Sequence, residues 1–279
     1  MKLPFKIDLS GKIIAVTGAG GVLMSEFAEA LALCGAKVAL LDININAAEK
    51  AAERITQEGG SAVAIRTDCL DKNSIINAKN IICNKFGRVN FLINGAGGNN
   101  PAGTTDNETM AEVKEGMKSF FDLGSDGLRF VFDLNIITAF LTTQVFAEDM
   151  VEEGGNIINI SSMNAFRPLT KIPAYSAAKA GVSNFTQWLA VHFASSGIRV
   201  NAIAPGFFVT NQNRALLFDD KGNKTPRTEK ILAHTPMRRF GEVSDLIGTL
   251  LYLADDKASG FVTGTVIAVD GGFAAYSGV

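Results

Sequence analysis

The 279-residue sequence predicts an α/β protein built on a doubly wound parallel sheet. Two observations lead to this class. Short apolar runs rich in β-branched residues alternate with helical patterns along the whole chain, without an internal repeat or a linker. Residue types suited to binding also stand where those runs end, among them glycine, aspartate, asparagine, serine and proline. Because ligands of such sheets bind outside the carboxyl ends of the strands, the second observation also predicts where the site lies.

Seven runs are apolar without alternation, which is typical of strands buried on both faces. In chain order these predicted strands cover residues 12–16, 37–41, 62–66, 89–93, 156–160, 199–203 and 266–269. Helices are predicted over 22–34, 47–58, 74–86, 130–150, 174–195 and 244–254. Glycines that can end a helix follow the first three of these. Polar stretches at 98–126 and 211–227 are predicted to be loops, and residues 1–279 to form one domain.

The composition narrows the class of function. With 26 Lys+Arg against 28 Asp+Glu and no basic run, neither a nucleic-acid nor a membrane partner is predicted. Three cysteines outside any Cys-x-x-Cys pair and two distant histidines offer little to a metal site, so no metal is predicted. The N-terminus lacks the features of a secretory signal. We therefore expect a cytoplasmic protein with reduced thiols.

A nucleotide site is predicted at the first two strand ends. Gly18, Gly20 and Gly21 form a strand-to-helix turn whose backbone N–H groups can approach a pyrophosphate, whereas a simple tight turn would need only one glycine. Asp42 ends the second strand, where a carboxylate can bind both ribose hydroxyls and repel a 2′-phosphate; the alternative is a cap on the next helix. Asp68 is placed for the adenine edge, and Asn94 for the adenosine end or for bracing the sheet. NAD is favoured over NADP.

A catalytic pair is predicted on the helix after the fifth strand. Tyr175 and Lys179 are four residues apart, so they share one helix face, and Ser162 ends the strand before them. A Tyr-x-x-x-Lys pair is a weak pattern when it stands alone, because lysine is common.

Taken together and in order, these elements resemble the short-chain dehydrogenase/reductase family over nearly the whole chain. The matching elements are Thr17–Gly21, Asn94–Gly97, Asn135, Ser162 with its 13-residue interval to Tyr175, and Lys179. The resemblance implies a Rossmann fold, NAD as cofactor and a homotetramer. It also implies that Tyr175 is the acid and base, that Lys179 lowers its pKa and binds the nicotinamide ribose, and that Ser162 donates to the substrate oxygen. Asn135 would hold a water beside the lysine; a helix-bending hydrogen bond is the alternative.

The family likeness extends the cofactor site to further positions. Pro205, Gly206 and Thr210 resemble its nicotinamide-side loop. The residues that the resemblance assigns to NAD are Gly18, Gly20, Gly21, Val22, Leu23, Asp42, Asp68, Cys69, Asn94, Gly95, Ala96, Tyr175, Lys179, Pro205, Gly206, Phe208 and Thr210.

Three departures from the family pattern stand out. Val22 and Met24 occupy positions where the family has glycines, and Gly95 replaces its second asparagine. The interval from Asn94 to Asn135 is longer than in the family by about a dozen residues, which predicts an enlarged loop around 98–128 that shapes the substrate site.

The departures resemble the D-mannonate oxidoreductase (fructuronate reductase) branch, as do residues 98–102, 163–171, 205–217 and 273–279. This likeness implies NAD-dependent interconversion of D-mannonate and D-fructuronate. A gluconate 5-dehydrogenase-like or other polyol enzyme is the nearer alternative, and a nucleotide-sensing module without catalysis is the alternative of another class. The candidates for substrate binding are Ser162, Asn164, Arg167, Asn99, Asn100, Asn213, Arg214 and Lys171, with the cations meant for a carboxylate.

Overall fold

The computed structural model describes residues 7–210 and 214–278. Seven parallel strands form one sheet: β1 (Ile13–Thr17), β2 (Lys37–Asp42), β3 (Ser61–Arg66), β4 (Phe91–Asn94), β5 (Gly155–Ile160), β6 (Ile198–Pro205) and β7 (Val266–Val269). Their order across the sheet is β3-β2-β1-β4-β5-β6-β7. The chain winds outward from β1 in one direction and from β4 in the other, which confirms the doubly wound fold. The crevice for a ligand lies where the winding reverses, between β1 and β4.

Helices cover both faces of the sheet. They are α1 (Val22–Leu33), α2 (Ile45–Gln57), α3 (Lys72–Phe86), α4 (Ser125–Phe132), α5 (Thr138–Ala147), α6 (Pro173–Phe193), α7 (Arg214–Leu217), α8 (Pro226–His234), α9 (Val243–Ala254) and α10 (Asp256–Ser259). One apolar cluster packs α1, α2 and α9 on one face of the sheet, and a second packs α3, α5 and α6 on the other. The strands β4 and β6 are buried along their whole length, which explains why their sequences do not alternate.

The helix predicted over 130–150 begins earlier than expected. α4 begins at Ser125, and a π-helical turn, Asp133–Ile137, joins it to α5. The sequence at the helix start, Ser-Asp-Gly, is typical of a loop, but Gly127 is required there by packing, since a Cβ would lie 2.6 Å from the Ala102 backbone. The continuous stretch Ser125–Met150 is long and apolar enough to span a membrane by length and composition alone, yet half of its most apolar window is buried inside the protein, as in a core helix.

The enlarged loop after β4 ends at Gly124 rather than near residue 128 and is ordered by its own hydrogen bonds. Three 3₁₀ turns lie in it, at Pro101–Gly103, Met110–Glu112 and Phe120–Asp122. Lys118 closes the loop, because its backbone N–H donates to Asp106 at 2.7 Å and its ammonium donates to the Pro101 carbonyl at 2.6 Å. Helix α8 begins at Pro226, at the end of the second predicted loop, and continues past it. This helix was not expected from the sequence.

Candidate active site

The glycine turn after β1 leaves the N-terminus of α1 open. Gly18 adopts a φ of +68°, and a Cβ there would lie 2.9 Å from the Ala96 nitrogen, so two requirements select glycine. Gly21 begins α1 in an extended conformation without a side-chain cap from the described part of the chain. The N–H groups of the first turn, at Val22 and Leu23, are therefore directed to the crevice, which fits the pyrophosphate of a dinucleotide.

Asp42 holds the glycine turn from the end of β2. One carboxylate oxygen accepts the Gly20 N–H at 2.8 Å, and the other accepts the Asn44 N–H at 2.8 Å. The cap of α2 is Asn44, whose side chain accepts the Ala47 N–H, so the capping alternative for Asp42 is wrong. A carboxylate beside the glycine turn fits the adenosine ribose of NAD.

Asp68 and Cys69 follow β3 on the same side. An oxygen of Asp68 accepts the Leu70 N–H at 2.9 Å, which shapes the local turn. Cys69 is buried, and its pKa is raised to about 12 by burial, with the Asp68 and Asp42 carboxylates adding to the shift. The thiol is therefore neutral at physiological pH. Their contacts with adenosine stay predictions.

Asn94 braces the sheet. Its amide nitrogen donates to Asn159 at 2.8 Å and to Thr143 at 2.9 Å, and its oxygen accepts from Thr142 at 2.6 Å. The side chain is buried and its hydrogen bonds are made within the protein. The sequence left two roles open for Asn94, contact with adenosine and bracing of the sheet. The structure supports bracing for the side chain, so only the Asn94 backbone stays a candidate for contact with the cofactor.

The exit of β4 is fixed to β1. The Thr17 hydroxyl accepts the N–H groups of Gly95 and Ala96 at 3.0 and 3.1 Å. Met24 of α1 is 4% exposed and packs against Gly95. Thr17 was not among the predicted site residues, because its contact joins two strand ends that are 78 positions apart in the chain.

Lys179 and Tyr175 meet at the end of β5. The Lys179 ammonium donates to the Ile160 carbonyl at 2.8 Å and lies 5.6 Å from the centre of the Tyr175 ring. Burial lowers the pKa of Lys179 to about 8. Burial also raises the pKa of Tyr175, and a hydrogen bond from Ser162 opposes that rise. The phenol is therefore protonated at neutral pH in the absence of a bound cofactor.

Ser162 is oriented by its own turn. It begins the 3₁₀ turn Met163–Ala165, and its oxygen accepts the Asn164 N–H at 3.3 Å. The hydroxyl hydrogen is then free to point toward the phenol of Tyr175. The expectation that Ser162, Tyr175 and Lys179 converge agrees with this geometry.

Asn135 lies in the π-helical turn, buried near Lys179. Its amide nitrogen donates to the carbonyls of Val131 and Gly98 at 2.7 Å each, and its oxygen accepts the Gly98 N–H at 3.1 Å. The Asn135 side chain thus makes the hydrogen bond to its own helix that the sequence left open as the alternative role. A Cβ at Gly97 would lie 2.7 Å from the Asn135 oxygen and 3.1 Å from the Lys179 nitrogen, so Gly97 separates the two.

The loop after β6 is held against β7. Pro205 ends β6, and the Gly206 N–H donates to the Val269 carbonyl at 2.9 Å. Phe208 is buried against Gly241, where a Cβ would overlap its ring. The Thr210 carbonyl accepts the Arg214 N–H at 3.0 Å. The predicted contacts of these residues with the nicotinamide stay predictions.

The predicted substrate residues separate in the structure. Asn164 is 4% exposed, and its side-chain amide oxygen is buried without a hydrogen-bond partner among residues 7–210 and 214–278. Asn99 donates to Thr104 at 3.0 Å, and Asn100 caps the first 3₁₀ turn through the Ala102 N–H at 2.8 Å. Asn213 lies outside the described residues. The side chains of Asn99 and Asn100 therefore stabilise the loop in which they lie, and their contacts with substrate stay predictions.

The three basic residues predicted to bind a carboxylate have different surroundings in the structure. Arg167 is exposed and donates from Nε to the Ala274 carbonyl at 3.2 Å, while Arg214 lies over the Phe218 ring at 5.6 Å. Lys171 has a left-handed backbone, with a φ of +71°. The C-terminal segment that Arg167 touches turns back on its own chain, since Phe273 packs edge-on against Phe207 with ring centres 5.3 Å apart.

One ion pair between the two polar stretches could not be predicted from the sequence. Glu108 of the enlarged loop forms an ion pair with Lys230 of α8, 122 positions later. Charged residues in two separate polar stretches cannot be paired without knowing the fold.

Comparison with known proteins places this geometry among relatives. A family model described as enoyl-(acyl carrier protein) reductase matches residues 23–274. An uncharacterized oxidoreductase of Bacillus subtilis, UxuB, is 52% identical over 99% of this chain and 100% of its own. The 2-dehydro-3-deoxy-D-gluconate 5-dehydrogenase of Escherichia coli is 34% identical over 96% of this chain and 97% of its own.

A solved structure from Haemophilus influenzae is similar over nearly its whole length. That protein, named provisionally as a D-mannonate oxidoreductase and crystallised with NAD, is 57% identical and has a TM-score of 0.94 over 98% of each chain. The NAD bound in that structure supports NAD as the cofactor predicted from the glycine turn and Asp42.

Proposed function

This chain belongs to the short-chain dehydrogenase/reductase family, and from that premise we propose that it interconverts D-mannonate and D-fructuronate. It is an NAD-dependent oxidoreductase that acts on a CH–OH group. The single observation that carries the proposed chemistry is the convergence of Ser162, Tyr175 and Lys179 at the end of β5.

Each side chain has a defined task in this reaction. NAD, when bound, accepts or supplies the hydride. Tyr175 gives its phenolic proton to the ketone oxygen during reduction and takes a proton from the hydroxyl during oxidation. Its raised pKa suits the acid role. The Lys179 ammonium, 5.6 Å from the ring centre, stabilises the phenolate that remains.

Ser162 acts on the substrate oxygen. Its hydroxyl hydrogen is not used by the Asn164 contact, where the serine oxygen is the acceptor. It donates to the oxygen whose negative charge grows when a ketone is reduced, and such a fixed donor lowers the barrier.

The choice of a sugar acid is supported by two relatives. The Haemophilus influenzae protein is named provisionally for D-mannonate, and the Escherichia coli relative for the 5-position of a sugar acid. A sugar acid needs a cation for its carboxylate, and Arg167 and Lys171 both lie in the segment between Ser162 and Tyr175. The second relative also keeps a gluconate 5-dehydrogenase-like activity as the second candidate.

Turnover decides between these candidates. NADH oxidation, followed by its near-ultraviolet absorbance, is measured with D-fructuronate, 5-keto-D-gluconate and D-fructose, the last being D-fructuronate with its carboxylate replaced by a neutral CH₂OH. We expect the highest kcat/KM with D-fructuronate. Higher efficiency with 5-keto-D-gluconate would select the second candidate. Absence of turnover with every keto acid, together with tight NADH binding, would favour a nucleotide-sensing module.

We further propose a cytoplasmic homotetramer. Apolar side chains are exposed on α4, the π-helical turn, α5 and α6: Leu128, Phe130, Ile137, Phe140, Trp188 and Val191. A face of this kind is typical of an interface between subunits. The cysteines Cys34, Cys69 and Cys83 are all free thiols, which fits a reducing compartment.

A further inference from the structure

The ion pair between Glu108 and Lys230 lies in a field of positive charge. Lys171 and Arg227 also act on the Glu108 carboxylate, and together with Lys230 they hold its pKa below the usual value. Three cations, Lys171 and two residues of α8, therefore act on one carboxylate. Glu112, whose carboxylate accepts the Glu108 N–H at 3.0 Å, adds a second negative charge, so these five side chains sum to +1 and the cluster can still attract an anion.

A cavity of about 270 Å³ opens beside this cluster. Glu108 and Asn107 of the enlarged loop line one side, and Lys171 and Pro173 line the other. Asn107 is buried, and its amide oxygen has no partner in the described part of the chain. Pro173 is the first residue of α6, which carries Tyr175 one half-turn later. The cavity thus lies between the inserted loop and the helix that holds the catalytic phenol.

The backbone of Lys171 is strained in a way that fixes the residue at this wall. Its φ of +71° is unusual for a residue with a side chain, and its carbonyl accepts the Thr105 N–H of the enlarged loop at 2.8 Å. Lys171 is four residues before Tyr175, so their Cα atoms are at most about 14 Å apart. That upper bound is compatible with a six-carbon sugar acid that reaches from Tyr175 to the Lys171 ammonium.

We propose that Lys171, flanked by Arg227 and Lys230, binds the substrate carboxylate, and that Glu108 occupies this cation cluster while substrate is absent. The inference rests on the proposed function, and it assigns the carboxylate to Lys171 rather than to Arg167. Arg167 is exposed, and its Nε is engaged by the C-terminal segment. Glu108, by contrast, places a carboxylate against Lys230 beside the cavity that Lys171 also lines.

The test compares an anion with its neutral counterpart. Calorimetry measures the binding of D-mannonate and of D-mannitol to the enzyme–NADH complex, which cannot react because both partners are reduced. The variants are Lys171→Met, Glu108→Gln and, as the matched control, Lys114→Met, which removes one positive charge from the exposed part of the same loop. Methionine keeps a side chain at position 171, so the backbone cost of the left-handed conformation is unchanged.

We expect Lys171→Met to weaken D-mannonate binding about tenfold and to leave D-mannitol binding unchanged, because only the anion uses the ammonium. Glu108→Gln should tighten D-mannonate binding a few-fold, since the competing carboxylate is gone. Equal effects of Lys171→Met and Lys114→Met, or weaker binding in Glu108→Gln, would overturn the inference. If the wild-type enzyme still reduced D-fructuronate in that case, the proposed function would stand without this subsite. If it neither bound D-mannonate nor reduced D-fructuronate, both proposals would fall.

Discussion

The Met24 side chain occupies the space into which a side chain at position 95 would project. A Cβ on Gly95 would lie 2.5 Å from the Met24 Cγ and closer still to its sulfur, while Met24 itself is 4% exposed. These are two of the three positions, 22, 24 and 95, at which the residue type departs from the family pattern. The departures are therefore complementary, because the residue that is larger in α1 faces the residue that is smaller after β4.

This relationship predicts a rescue between the two positions. Gly95→Asn alone should lower the free energy of unfolding by roughly 1–3 kcal/mol, because the new side chain overpacks the contact with Met24. It should also weaken NAD binding, since Gly95 adjoins the glycine turn through Thr17. Adding Met24→Gly should recover the part of both losses that the Met24 contact causes, whereas the Thr17 carbonyl, 2.7 Å from the same Cβ, is unaffected. Urea unfolding and fluorescence titration with NADH measure the two effects, and additive losses in the double variant would show that the positions are independent.

Removal of the Tyr175 hydroxyl should abolish turnover without removing the cofactor. Tyr175→Phe is expected to lower kcat about a thousandfold, because proton transfer from a positioned acid contributes that order of rate. The Kd for NADH should change little. Steady-state kinetics and NADH titration on one preparation provide both numbers, and Ser176→Ala serves as the control on the same helix. A variant that retained a tenth of the wild-type rate would contradict the assignment of the acid.

Cofactor preference should depend on Asp42. Its carboxylate accepts the Gly20 N–H and stands where a 2′-phosphate would enter, so like-charge repulsion disfavours NADPH. In Asp42→Ala we expect roughly a tenfold loss of kcat/KM with NADH and a gain with NADPH. Asp42→Asn separates the contributions, because it keeps an acceptor for Gly20 and removes the charge. A wild-type enzyme that used both cofactors equally would refute the prediction.

The sheet and the positions of its ligand-binding residues were predictable from local patterns. Strands such as β4 and β6 are apolar along their whole length because both faces are buried, and parallel strands align their carboxyl ends, so Ser162 and Asp42 had to lie at one edge. The helix spacing of Tyr175 and Lys179 is likewise a local property.

Contacts between distant segments were not predictable in the same way. The fit of Met24 against Gly95 and the ion pair of Glu108 with Lys230 depend on packing between elements that sequence spacing does not encode. The same limit applies to Asn94, whose side chain is used by Asn159, Thr142 and Thr143 rather than left free. The start of α4 was missed because packing on Ala102, not helix propensity, requires Gly127.

The exposed apolar face of α4, α5 and α6 should hold subunits together. Trp188 is 57% exposed and stacks on His192 with ring centres 4.6 Å apart, and Val191 is 82% exposed. Trp188→Glu is expected to reduce the molar mass measured by light scattering, since burying an unpaired carboxylate at an interface is costly. Leu33→Glu, an exposed site on α1, is the control and should not change the mass. A wild-type monomer would refute the tetramer.

The burial of Lys179 should lower the free energy of unfolding of the protein. Burial lowers its pKa from 10.5 to about 8, so the charged amine is less favourable in the folded protein by about 3 kcal/mol, at 1.36 kcal/mol per pKa unit. Lys179→Met removes this cost and loses the bond to the Ile160 carbonyl, worth about 1 kcal/mol, so the variant should be inactive yet about 2 kcal/mol more stable at pH 7.

The stability difference between Lys179→Met and the wild type should depend on pH. Between about pH 8 and 10.5 the unfolded wild type binds more protons at Lys179 than the folded protein does, so wild-type stability rises with pH over that window. The advantage of Lys179→Met should therefore shrink through the window and disappear above it. Urea unfolding of both proteins at pH 7, 9 and 10.5 measures the difference. A difference that stayed constant with pH would show that the Lys179 amine is not destabilised by burial.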